Sequence, residues 1–222
     1  MPSHCSPGIP IIVTDKHAAA IPVLYLASRS PRRHDLLRQL GIAFAEIRLR
    51  EAPGRHRDVV EEARDGEPAL HYVERIARTK AQIGWQRMEQ RQLPPLPVLG
   101  ADTEVVLDGT VFGKPADADA ARTMLARLSG RTHDVITVVA LRWHDDVDIA
   151  ISVSAVTLRS LKSGEIERYV ATEEPFDKAG GYAIQGRAAA FITRLDGSFS
   201  GVMGLPLAET ADLLARTGRA VL

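Results

Sequence analysis

The sequence predicts a mixed β-sheet with helices on its faces, an α/β arrangement of the mixed α+β kind. Short apolar, strand-like runs and amphipathic helical stretches are interspersed along the chain, and hairpin signals interrupt their alternation. Strict alternation would give a purely parallel, doubly wound sheet, whereas the hairpins require antiparallel neighbours as well.

The elements read in order as follows. Residues 22–27, Pro-Val-Leu-Tyr-Leu-Ala, are short, apolar and bounded by loop residues, which is the pattern of a buried strand. Ser30 suits an N-cap and Pro31 the first helical position, Leu36, Leu37 and Leu40 recur at helical spacing, and Gly41 stops the helix. Residues 44–49 alternate weakly as a strand. Residues 50–68 are charged, bear Pro and Gly, and read as a loop. Residues 71–88 form a helix whose marked face is Tyr72, Val73, Ile76, Ala77, Lys80, Ala81 and Ile83.

A linker dense in Gln and Pro leads to a second buried strand, residues 97–101, that ends at Asp102-Thr103. Asp108-Gly109 between two short apolar runs is a two-residue hairpin signal. A helix is expected over residues 117–128, strands over 134–143 and 149–158 with a polar turn at 144–148, and a helix capped by Ser163. The glycine-rich loop 178–186 leads into a strand at 189–195, and a last helix opens near Pro206 and stops at Gly218. Nothing marks a domain boundary within residues 22–222, and residues 1–21 read as a loosely ordered extension.

Composition bounds the function. With 28 basic and 28 acidic side chains among 222 residues the formal net charge is zero, so the sequence offers no general nucleic-acid or membrane surface. No apolar run approaches the roughly 20 residues of a membrane-spanning helix. The single Cys5 excludes an intrachain disulfide, and a reducing cytoplasm is the natural reading. A homodimer is compatible with the sequence but not specified by it.

Any phosphate binding must therefore come from local clustering. In Ser28-Arg29-Ser30-Pro31-Arg32-Arg33 a hydroxyl-rich turn opens a helix whose first turn carries two arginines. Cations there oppose the helix dipole unless an anion binds between them and the free backbone amides. Lys80 sits on the apolar face of its helix, so unless its stem snorkels to the surface its ammonium needs an anionic partner, a phosphate or a carboxylate. Replacing it by Met is expected to leave the free protein as stable or more so. Lys114 stands between Gly113 and Pro115 as a positioned cation. Lys178 and Gln185 are the polar ends of the glycine-rich loop. Asp102, at the end of an apolar strand, could hold a divalent cation, act as a general base on water, or cap a turn. His133 reads as a packing histidine more readily than a catalytic one. No P-loop, dinucleotide fingerprint, Ser–His–Asp set or Cys–His set is present. Several cations in one pocket would repel one another without a polyanion, and polyphosphate with a metal ion satisfies that chemistry.

These segments, in this order, resemble the Maf family of nucleoside triphosphate pyrophosphatases. Leu26-Ala-Ser-Arg-Ser-Pro-Arg-Arg33 looks like the family's opening motif, residues 77–81 like its A-x-x-K-A helix, and Gly100-Ala-Asp-Thr103 like its catalytic strand end. Gly113-Lys-Pro115, Leu128-Ser-Gly-Arg-Thr-His133, the stretch 177–186 and Gly204-Leu-Pro206 also match. The resemblance implies an elongated mixed sheet like that of the inosine triphosphatases, with two lobes around a deep cleft. It implies hydrolysis of dTTP and UTP between the α and β phosphates to the monophosphate and pyrophosphate, dependent on a divalent cation, most simply Mg²⁺ or Mn²⁺. On this reading Asp102 is the proton acceptor, Ser28, Arg32, Arg33, Lys80, Thr103, Lys114, Lys178 and Gln185 contact substrate, and Arg32, Thr103 and Gln185 discriminate among bases. Asp102 would share the metal with an acidic loop residue, Glu61 by counting back from Lys80, with Glu62 or Glu51 as alternatives. The implied biology is removal of surplus or modified nucleotides, with an influence on cell division. The rival reading is a non-catalytic nucleotide-binding regulator of septum formation.

Overall fold

A computed structural model describes residues 21–50 and 58–219. Most of the proposed extension, Cys5 and Glu51 lie outside the described residues.

The sheet has seven strands. Six run in the order β2-β1-β3-β5-β6-β7, and β4 pairs with β3. The strands are β1 (Leu24–Leu26), β2 (Phe44–Glu46), β3 (Val98–Leu107), β4 (Thr110–Phe112), β5 (Thr132–Trp143), β6 (Asp146–Leu158) and β7 (Ile192–Asp196). β1 pairs parallel with β2 and β3, and every other pairing is antiparallel. The helices are α1 (Pro31–Gln39), α2 (Ala69–Gln90), α3 (Ala118–Leu128), α4 (Ser163–Val170), α5 (Phe199–Met203) and α6 (Leu207–Arg216). The mixed sheet with flanking helices expected from the sequence is the one observed.

Several boundaries differ. The strand expected to stop at Asp102 runs on to Leu107, so Asp102 lies inside β3 and not at its end. Pairing with β5 carries the strand through the polar residues, because Asp102, Thr103 and Glu104 keep their register opposite Val138, Thr137 and Ile136. The β5–β6 turn is tighter than residues 144–148. His144 and Asp145 alone connect Trp143 to its partner Asp146, with His144 at a positive φ of 56°. A 3₁₀ turn over residues 187–191 takes the first three residues of the strand expected at 189–195, and the five-residue α5 carried no signal strong enough to be read.

Apolar side chains from both faces of the sheet hold the helices. Leu36 and Leu37 of α1 and Leu213 and Leu214 of α6 pack on Leu24, Leu26, Leu99 and Leu141. On the opposite face Tyr72, Val73, Ile76, Ala77 and Ala81 of α2 pack on Ile136, Val138 and Ala140. A further cluster joins α3 and α4 to Val105, Leu107, Val156 and Leu158. Full burial of each such Leu or Ile contributes about 1.5–3 kcal/mol relative to exposure. No helix among the described residues is long and apolar enough to cross a membrane.

Candidate active site

The edge of β3 that faces away from β5 is covered twice and left open once. β1 pairs with Val98 and Leu99, β4 pairs with residues 105–107, and among the described residues nothing pairs with 101–104 between them. The chain leaves β1 through the turn into α1, and it leaves β4 through Gly113-Lys114-Pro115. Both exits open on the same gap. A third wall is the 178–185 loop, tied to the β4 exit by Gly180 N donating to the Gly113 carbonyl at 3.1 Å. The result is a cavity of about 500 Å³, within the usual range for small-molecule sites.

All ten residues singled out from the sequence line this cavity: Ser28, Arg32, Arg33, Glu61, Lys80, Asp102, Thr103, Lys114, Lys178 and Gln185. Of the three acidic candidates in the preceding loop, Glu61 lines it. Glu62 is exposed, its carbonyl held by Arg75. His133 takes no part. It is buried, its Nε2 lies 2.7 Å from the Tyr182 hydroxyl, and burial lowers its pKa to about 4.

Lys80 reaches the site because α2 lies unusually close to β3. A Cβ at Gly100 would stand 2.6 Å from both the Ala77 carbonyl oxygen and the Ala81 amide nitrogen, so only glycine admits the helix backbone there. Two residues on, Asp102 shares the face of Gly100. Lys80 Nζ donates to Asp102 Oδ1 at 2.8 Å and to Glu61 Oε1 at 2.6 Å. The anion that Lys80 requires is thus already supplied by two carboxylates. Glu61 Oε2 stands 4.0 Å from Lys114 Nζ. Burial pushes the Glu61 carboxyl up, but Lys80, Lys114 and Arg33 more than offset this and hold it below its ordinary value. Burial likewise disfavours the Lys80 ammonium, and Asp102 and Glu61 outweigh that and raise its pKa.

Arg33 is buried to 8% exposure and held on three sides. Its Nε donates to the Gly204 carbonyl at 2.8 Å, Nη1 to Ser28 Oγ at 3.1 Å and Nη2 to Thr103 Oγ1 at 3.2 Å. Burial draws its pKa down, against the pull of Asp102. Ser30 occupies the N-cap of α1 without a side-chain capping bond; it is Ser28 Oγ that accepts from the Ser30 amide, at 3.2 Å. Across the cavity Asp177 stands between two cations, 3.6 Å from Arg32 Nη1 and 3.2 Å from Lys178 Nζ. Gln185 is exposed at the cavity's rim.

Two acidic lining residues were missed, Asp177 and Glu104. Glu104 follows Asp102 by two positions and so shares its face, which was legible only once residues 102–104 are read as strand. Its Oε2 and Asp102 Oδ2 are both buried without a hydrogen-bond partner among the described residues. Burial, then the Asp102 and Glu61 charges, push the Glu104 carboxyl up to about 8.

No group of three or more His, Cys, Asp or Glu side chains among the described residues is arranged to hold a metal. The donors present nonetheless suit a hard divalent cation. Asp102 Oδ2 is an unused buried oxygen, and Mg²⁺ commonly takes only one or two carboxylates, completing its shell with water and substrate phosphates.

Residues 23–217 match the family described as Maf-like protein. A Nitrosomonas europaea protein named dTTP/UTP pyrophosphatase is 52% identical over 198 residues, covering 89% of this chain and 96% of that protein. Proteins of the same name from Chromobacterium violaceum and Bordetella avium are 50% and 52% identical, covering 88% and 90% of this chain and 94% and 98% of their own lengths. Among solved structures, the Staphylococcus aureus Ham1 protein superposes with a TM-score of 0.49 at 12% identity, covering 88% of this chain and 99% of that one.

Proposed function

This chain belongs to the Maf family, and from that premise we propose that it hydrolyses dTTP and UTP between the α and β phosphates, releasing the monophosphate and pyrophosphate. One observation carries the reading. In a protein of zero net charge, seven cations line one cavity, Arg32, Arg33, Lys80, Lys114 and Lys178 among them, together with the buried Asp102 and three further carboxylates. The relatives' names supply the substrates.

The residues divide by task. Arg33, with three of its five N–H groups already fixed, keeps two for phosphate oxygens. Lys80 and Lys114 exchange their present carboxylate partners for the triphosphate, and Arg32 and Lys178 exchange Asp177. Cations placed where charge develops stabilise the transition state without reorganisation of solvent. Asp102 takes a proton from the attacking water through whichever carboxylate oxygen the divalent cation leaves free. Asp102 and Glu61 would hold a divalent cation, magnesium or manganese, whose chemistry is to lower the pKa of bound water and offset phosphate charge. At the rim, Arg32 offers only donors, which suit the carbonyls of thymine and uracil, and the Gln185 amide both donates and accepts.

The test is product analysis. Purified protein with magnesium or manganese is given dTTP, UTP, CTP and GTP, and the phosphorus products are identified. The proposal expects pyrophosphate and a monophosphate, fastest from dTTP and UTP. Orthophosphate released from the γ position contradicts it.

A further inference from the structure

We infer that Thr137, on the strand behind the cavity, is a positioning residue for Arg33 and acts through Thr103. The inference rests on Arg33 being a phosphate ligand and extends that reading to a residue outside the cavity lining.

The direction of each hydrogen bond follows from donor accounting. Thr137 is 1% exposed, and its single hydroxyl proton goes to the Gly201 carbonyl at 2.7 Å, since a carbonyl only accepts. Thr137 Oγ1 and Thr103 Oγ1 are 2.9 Å apart, so the proton between them belongs to Thr103. Thr103 then accepts from Arg33 Nη2 at 3.2 Å. The chain runs one way, from Arg33 through Thr103 and Thr137 to Gly201.

It also closes on itself. Gly201 and Gly204 both belong to the α5 turn, and the Gly204 carbonyl accepts from Arg33 Nε at 2.8 Å. The guanidinium is therefore referred to one short element along two routes, one direct and one through two hydroxyls. A planar fork held at Nε and at Nη2 cannot rotate about its long axis, and that fixes where its remaining N–H groups point. The Thr103 proton is committed within this chain, so Thr103 influences the ligand by holding Arg33 and not by donating to a base.

The experiment compares Thr137→Val, which keeps shape and removes both bonds, with Thr137→Ser, which keeps the hydroxyl. Binding of inorganic triphosphate is measured by calorimetry, and KM and kcat are measured for UTP. Thr137→Val is expected to weaken triphosphate binding and raise KM about fivefold, the scale of one lost hydrogen bond between neutral groups, with kcat within twofold of wild type. Thr137→Ser should bind as wild type does. In an Arg33→Lys background the Thr137→Val penalty should vanish, since the lysine cannot reproduce the fork. A Thr137→Val protein that melts earlier but binds triphosphate as tightly as wild type overturns the inference, as does an undiminished penalty beside Arg33→Lys. Wild-type protein that fails to bind triphosphate at all overturns the phosphate reading itself. Should Thr137→Val not fold, Thr103→Val breaks the same chain one link earlier and is read by the same coupling to Arg33→Lys.

Discussion

Lys80 donates to Asp102 across a 2.8 Å ion pair in which the two side chains are only 12% and 10% exposed. The catalytic candidate and a substrate-binding candidate are thus each other's partners in the free protein. Removing one member of a buried pair leaves the other charge uncompensated, which costs more than the pair contributes.

Lys80→Met is accordingly expected to destabilise the free protein. This reverses the expectation drawn from the apolar helix face alone, where the lysine had no visible partner. Because Glu61 is 42% exposed and can turn to water, the loss should sit near the low end for a broken buried pair, about 3 kcal/mol. Denaturant melts of Lys80→Met and of Lys80→Met/Asp102→Asn check it. The double variant, with no orphaned buried charge, should recover part of the loss.

Two buried groups give stability opposite slopes with pH. Glu104 is raised from 4.5 to about 8, so between those values the folded state holds a proton that the unfolded state has lost, and stability falls as pH rises. His133 is lowered from 6.5 to about 4, so between those values the unfolded state holds the extra proton, and stability is lost as pH falls. Melting curves of Glu104→Gln should gain on wild type from pH 5 to pH 8. Those of His133→Gln should gain on wild type from pH 6.5 down to pH 4. A parallel offset at all pH values in either variant would contradict the corresponding assignment.

The site was legible where chemistry is local. Arg32 and Arg33 beside a hydroxyl turn, and Lys80 on an apolar helix face, are anomalies visible within a few residues. Gly100 marked a close approach only in retrospect, because what fills the place of its side chain is the backbone of α2. Asp102 was singled out as the end of a strand, and it lies inside one. The run Asp102-Thr103-Glu104 looks like a terminus in sequence and is kept in the strand by nine register pairs between β3 and β5. Misreading that stretch also hid Glu104, whose period-two relation to Asp102 needs an unbroken strand. Thr137 and the Gly201 carbonyl carry no local signal, since their meeting depends on residues 64 positions apart.

Base selection should be separable from phosphate binding. Gln185 is exposed at the rim, away from the Lys80 ion pair, so Gln185→Glu should leave folding unchanged. A carboxylate only accepts and would repel a pyrimidine carbonyl. The expected result is a fall of about tenfold or more in kcat/KM for dTTP and UTP, the scale of a lost and replaced hydrogen bond. The loss for CTP and GTP should be smaller. Equal losses across all four nucleotides would assign Gln185 to holding the loop.

The account stands most directly on Asp102 as the group that accepts the proton from water. Asp102→Asn keeps the shape and one acceptor oxygen, leaves Lys80 its contact with Glu61, and removes the proton acceptor. Pyrophosphate release from UTP, measured at saturating nucleotide and divalent cation on protein shown to be folded, is predicted to fall by about 10² or more. Turnover within a few fold of wild type would contradict the account and leave Asp102 as no more than the partner of Lys80.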